Sequence, residues 1–355
     1  MFEPRHVPMK PEQRAHADAL AQLWPAYGEL IVERHELAGG MQWKTVAGAD
    51  YLMRYRPHPE GGSRKVAKSL GKRSPETEAL HEDYLRRRES VTRRLGALAP
   101  RIDMLGKVSK PFGTARLDAG QAQNIRRLHE AGFLSGPRPV LLPFGAPAMA
   151  GYEAMGGFFC PDRYLRTDAG GQIVFYIREV SGPELVREIA ASLFTAKIPT
   201  RIDEPTPGQW TISSVGQDGS EEREVELVSH NLFEETLAAT DFEGETCEEI
   251  VDALSLGAVP VVVSATDGTV AGYAAPDPRT LAICGRQIAR AAGADANAEL
   301  MAFKMATFVI QAIDDGFLDA QFTPAQRDAL IGSGNGWIEE TGALAESVSL
   351  KARFG

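Results

Sequence analysis

The sequence predicts an α+β fold, a mixed sheet flanked by helices, with a helix, β-hairpin and helix before it and a helical region after it. Three observations predict this. Apolar residues recur at helical spacing over 11–38 and stop at Gly39-Gly40. Short runs rich in β-branched and aromatic residues come in pairs around glycine-containing turns. Ala-rich helical spacing then occupies the chain after Pro276.

Taken in order, Leu20, Leu23, Trp24, Tyr27, Leu30 and Ile31 form the apolar stripe of the first helix. MQWKTVAGADYLMRYR alternates around an Ala-Gly-Ala-Asp turn and reads as a hairpin, with a third strand at Lys65–Leu70. Ser74 is placed to cap a second helix, Pro75 to open it, and Glu76 and Glu78 to favour its first turn. That helix is expected to end near Leu98, and 100–115 to be a connection. A helix over about 119–132 ends at Gly132, VLLPF is a strand, and Gly145 opens another helix. A strand over 172–180 and a helix over 182–196 follow. QWTISSVG with EREVELVS, and VPVVVSAT with TVAGYAA, read as hairpins around Gln-Asp-Gly-Ser and Asp267-Gly268. Helices near 278–292, 295–315 and 323–347 close the chain. Three regions result: 1–116, basic; 117–275, the core; and 276–355, helical and packed on the core through Leu300, Phe303, Met305, Phe308, Val309 and Ile313.

The 355 residues, 43% hydrophobic and 24% charged, belong to the globular class. No run approaches the roughly 18 apolar residues of a membrane helix, so no membrane partner and a cytoplasmic location are the expectation. Cys160, Cys247 and Cys284 form no CxxC pair and read as small buried hydrophobes. The net charge of −10 divides into +7 over residues 1–116 and −17 over 117–355. A basic front on an acidic body implies an anionic partner or docking between the halves, within one chain or between subunits of an oligomer.

RPHPEGGSRKVAKSLGKRSPE sets Arg54, Arg56, Arg64, Lys65, Lys68, Lys72 and Arg73 around a hairpin and a helix N-terminus, a pattern suited to a polyanion. Trp43, Tyr51 and Tyr55 on the same hairpin could stack on bases, or pack on the helix below. The five arginines of YLRRRESVTRRL spread round their helix and read as a solvated or docking surface. GxSxG, Walker A and strand-following GxGxxG motifs are absent from the sequence.

GGMQWKTVAGADYL…KSLGKRSPETE, from Gly39 to Glu78, then GAPAMAGYEAMGG, REVELVS and APDPRTLAI, resemble a family of bacterial nucleotidyltransferase-like proteins in order and spacing over roughly residues 25–315. The resemblance implies a nucleotidyltransferase-like mixed sheet flanked by helices. It also implies a glycine–hydroxyl pair at a helix N-terminus for the triphosphate, and three acids for two divalent cations that align the attack and neutralise the pyrophosphate. Mg²⁺ and an NTP are the cofactor and substrate of an active member.

Carried over residue by residue, Gly145 matches the glycine, but Ala146 replaces the hydroxyl residue. Thr167 falls on the threonine, while Ala169 and Gly171 stand where two aspartates belong. Glu226 stands at the third acid, and the family's lysine falls near Gly285. A one-residue slip offers Asp168 as a ligand beside Asp162 or Glu179, leaving Asp168 and Glu226 as the residual catalytic and metal candidates. The expectation is a catalytically degenerate member serving as a nucleic-acid- or protein-binding module. The alternatives are an active Mg²⁺-dependent transferase with a macromolecular acceptor, and a structural or assembly protein.

Overall fold

Helices and strands alternate along most of the chain. The computed structural model describes residues 6–57, 65–136, 138–165, 173–178, 182–194, 198–216, 221–240 and 242–330. A short strand β1 (Val7–Pro8) precedes α1 (Pro11–Glu36), whose start is held by the Lys10 amide donating to Gln13 Oε1 at 2.9 Å. Strands β2 (Gly40–Val46), β3 (Ala49–Pro57) and β4 (Lys65–Lys72) form an antiparallel sheet in the order β2-β3-β4.

Helix α2 (Pro75–Phe112) is capped by Ser74 as expected, but it does not stop near Leu98. It continues through Pro100 and Pro111 to Gly113, which has φ +72°. Pro100 lies on the exposed face, and the carbonyl it deprives of a partner belongs to the equally exposed Gly96, where it is open to solvent. The segment 100–115 is therefore mostly helix.

The core elements follow: β5 (Ala115–Leu117), α3 (Ala119–Glu130), β6 (Leu141–Phe144), α4 (Ala146–Gly156), β7 (Phe158–Phe159), β8 (Ile173–Ile177) and α5 (Pro183–Leu193). Next are β9 (Thr200–Thr206), β10 (Gln209–Val215), β11 (Glu221–Ser229), α6 (His230–Ala238) and α7 (Gly244–Leu254). The last are β12 (Ala258–Ala265), β13 (Val270–Pro276), α8 (Pro278–Ala291) and α9 (Ala296–Asp314). A five-stranded sheet runs β6-β8-β11-β10-β9, mixed because β8 and β11 are parallel while the other neighbours are antiparallel. A three-stranded sheet runs β13-β12-β5, and β1 pairs with β7. The expected adjacency of the strand after Asp168 and the strand of Glu226 is present: Ile173 to Ile177 pair with Val225 to Ser229.

The main core gathers Phe144, Tyr152, Phe175, Leu227, Phe233 and Phe308, so α9 belongs to the same packed unit as the central sheet. Met305, Phe308, Val309 and Ile313 are buried in it, as their spacing predicts; Phe303 is also buried and Leu300 is half-buried. A second core joins Leu20, Trp24, Leu30 and Ile31 of α1 to Tyr84, Val91 and Ile102 of α2. His16, Ser109 and Ser264 link α1, α2 and β12, with Ser109 Oγ 2.8 Å from both His16 Nε2 and Ser264 Oγ. Among the described residues, no helix is long and apolar enough to cross a membrane.

Candidate functional site

Two places carry the sequence-predicted residues. The first lies where β6 turns into α4. Gly145 takes φ +73° and ψ −137°, a conformation that a side chain would strain, and α4 starts immediately after it. Ala146 is 3% exposed, and Pro147, without an N–H, removes one of the first-turn amides that a phosphate would use. The carbonyl of Pro147 accepts from the Tyr273 hydroxyl, and Tyr152 donates to Pro276 O at 2.9 Å, so α4 is fixed against β13.

Glu226 lies in the middle of β11 and is 6% exposed. Its neighbour on β8 is Val174, and its partner on β10 is Thr211. Neither can add negative charge. Thr167, Asp168, Ala169, Gly171 and Glu179 lie outside the described residues. Asp162 is engaged by Arg116, 2.7 Å from Nη1. Among the described residues, no three His, Cys, Asp or Glu side chains gather as a metal site would require. Two divalent cations need several hard oxygen ligands, and among the described residues Glu226 stands between a valine and a threonine without such a set.

Gly285, where the lysine falls, is inside α8. The cation at this level is Arg286, buried, with Nε 3.3 Å from Glu299 Oε2 of α9; Arg290 approaches the same oxygen at 2.8 Å. Its one-residue offset from Gly285 was the available signal.

A further charged pair was missed in the sequence. Arg116 grips Glu153 of α4 with two bonds of 2.8 and 2.9 Å, and the Cys160 amide donates to the same carboxylate at 2.6 Å. Burial pushes the Glu153 carboxyl up, and the guanidinium works against that shift. The signal was a lone acid inside GAPAMAGYEAMGGFF, since a carboxylate in an apolar helix needs a partner. Cys160 and Cys284 are buried, and Cys247 is half-buried.

No protein-family model, curated protein or solved structure matches the chain.

The second place is the β2-β3-β4 sheet, which carries eight Lys or Arg against two acids over residues 40–73. The predicted cations divide by what they touch. Arg54 donates to the carbonyls of Gly40 at 3.1 Å and Glu36 at 3.0 Å, and its guanidinium lies 4.9 Å from the Tyr84 ring centre, so it joins the sheet to the end of α1 and to α2. Arg73 bonds Glu78 at 2.6 Å, approaches Asp50 at 3.5 Å and lies over Trp43. Arg54 thus ties elements together, while Arg73 is exposed but engaged by acids and an aromatic ring. Arg56, Lys68 and Lys72 are exposed, as is Lys44, which the motif did not include. Arg64 lies outside the described residues, and Lys65 begins β4.

The aromatics divide as well. Trp43 pairs with Leu52, which is fully buried, and its ring meets His81 of α2 edge-on at 5.8 Å. Trp43 therefore packs toward the helix and offers no face for a base. Tyr51 and Tyr55 have the opposite parity on β3 and point away from α2.

Proposed function

We propose that this chain is a nucleotidyltransferase-fold protein whose catalytic centre has degenerated and which binds nucleic acid through its basic N-terminal sheet. The observation that carries the binding role is the division of the cations: Arg54 is tied to backbone carbonyls and the exposed Arg73 is paired with Glu78, while Lys44, Arg56, Lys68 and Lys72 project from one small sheet. A set of exposed cations on a fixed scaffold is the electrostatic footprint of a phosphate-backbone reader. The degenerate reading is supported by Glu226 between Val174 and Thr211, and by Ala146-Pro147 where a hydroxyl residue and a free amide would cradle phosphate. The path from β6 through Gly145 to α4, and the parallel pairing of β8 with β11, support the nucleotidyltransferase frame.

The test is fluorescence anisotropy of labelled oligonucleotides against salt. Affinity should fall linearly on a log–log scale as NaCl rises, because neutralised phosphates release counterions. The Lys44→Ala, Lys68→Ala, Lys72→Ala variant should flatten that slope by roughly 2–3 units on a duplex. Absence of any salt-dependent binding would overturn the reading and leave a protein partner for the basic sheet. Mg²⁺ with an NTP should give no label transfer to protein or RNA. Incorporation abolished by both Asp168→Ala and Glu226→Ala would instead establish an active transferase.

A further inference from the structure

The β2-β3-β4 sheet has two unlike faces. On β3, Leu52 and Arg54 turn toward α2 with Trp43 and Met41 of β2, against His81 and Tyr84. The other face presents Tyr51, Met53 and Tyr55 in a column down the central strand, all half-buried. Lys44 and Gln42 flank that column from β2, opposite Tyr51 and Met53. Lys72 and Ser69 flank it from β4, opposite the same two residues. The Lys72 ammonium lies 5.9 Å from the Tyr51 ring centre. The acid within the three strands is Asp50, which has the other parity and is tied to Thr45 Oγ1 at 2.6 Å and to Arg73.

An antiparallel sheet packed on one side ordinarily shows polar side chains on the other. Here the solvent side of the central strand is Tyr-x-Met-x-Tyr between lysines. We infer that this face is a stacking platform for single-stranded nucleic acid, with Tyr51 and Tyr55 as the base-stacking rings and Lys44 and Lys72 as the phosphate contacts. The inference rests on the nucleic-acid reading above and specifies its ligand.

The two rings are four residues apart, about 13 Å along a strand. Met53 between them offers an apolar floor for an intervening base. Stacking of this kind needs unpaired bases, because a duplex hides its base faces in its own stack. The Lys72 ammonium lies over the Tyr51 ring, and its flexible stem lets it swing aside for a base on that face and meet the phosphate. Trp43, Arg54 and Arg73 take no part, since each is committed to the inner face or to the strand ends.

The experiment compares the full chain with labelled oligo-uridine, labelled oligo-thymidine and a duplex of equal length. Single strands should bind more tightly than the duplex. Tyr51→Ala and Tyr55→Ala should each weaken single-strand binding about thirty-fold, near the middle of the range for one base–aromatic stack. Duplex binding should be unchanged in both. Tyr51→Phe and Tyr55→Phe keep the rings and should retain affinity, which separates stacking from any loss of fold. Lys44→Ala with Lys72→Ala should lower the single-strand salt slope by about 1.4 units. Equal affinity for single strand and duplex, indifferent to the tyrosines, would overturn the platform while leaving nucleic-acid binding in place. Absence of binding to every probe would overturn both.

Discussion

Replacing Arg116 by Met should unfold the protein more readily than any single surface change, and the cost can be worked from the contacts. Glu153 is 1% exposed and accepts three hydrogen bonds, two from Arg116 and one from the Cys160 amide. Arg116→Met keeps the aliphatic packing and removes both charged donors. Hydrogen bonds to a charged group contribute roughly 1.5–3 kcal/mol each, so the two together are worth about 3–6 kcal/mol. Breaking a buried ion pair from one side costs about 3–5 kcal/mol, which agrees. Glu153 would then escape by taking a proton. Its carboxyl is already raised by burial, and losing the guanidinium raises it further. A raised acid stabilises the fold below its unfolded value and loses that contribution as pH rises through the folded one. The variant should therefore be less destabilised at pH 5 than at pH 7 in urea titrations followed by far-ultraviolet circular dichroism. Pairing it with Glu153→Met should recover part of the loss by removing the unpaired buried charge, the remainder being the buried Cys160 amide left without its acceptor. A single-variant cost under about 1 kcal/mol, or a cost independent of pH, would refute the pairing.

Gly106→Ala should destabilise by about 1–3 kcal/mol, despite a helix-propensity gain of roughly 1 kcal/mol. Its new methyl would stand 2.0 Å from Gly268 O, and an unchanged or raised urea midpoint would contradict that approach of α2 to the β12–β13 turn. His6, His16 and His129 are all held below the usual histidine value by burial. Their stabilisation is present above pH 6.5 and is lost as pH falls through the lowered folded values, so the melting temperature should drop between pH 7 and pH 5. His16→Gln should reduce that drop. Limited proteolysis should release no stable fragment beginning near Ala294, because Met305, Phe308 and Val309 lie in the main core.

What was legible in the sequence followed from local chemistry. Ser74 and Pro75 mark the start of α2, paired runs mark the hairpins, and the spacing of Phe303 to Ile313 marks α9. Strand β9 was not legible, because Thr200–Thr206 is exposed along an edge and has no apolar alternation. Strand β5 is three residues long, too short for a period. Helices α6 and α7 carry pairs such as Leu232 and Leu237 or Ile250 and Leu254 over barely two or three turns. The run of α2 past the expected end near Leu98 was not legible, because whether a helix tolerates a proline such as Pro100 depends on which face meets water. For the basic sheet, composition marked the cations, but only the packing of α2 separates Trp43, Arg54 and Arg73 from Tyr51, Tyr55 and Lys72.

The continuity of α2 also fixes direction. At about 1.5 Å per residue its 38 residues span roughly 57 Å. Thr77, His81 and Tyr84 lie at the end beneath the small sheet, while Gly106 and Ser109 lie at the end against β12 and the turn before β13. One unbroken screw thus sets, together with the end of α1, the compass bearing of the sheet relative to the core. Each residue of a helix turns it by about 100°, so a single residue added between Tyr84 and Arg87 would swing the strands a quarter-turn or more. Seven added residues would carry them about 10 Å outward and return them to within about 20° of their first heading. Anything lying along β3 would therefore keep an orientation to Glu226 that is counted out in helical phase.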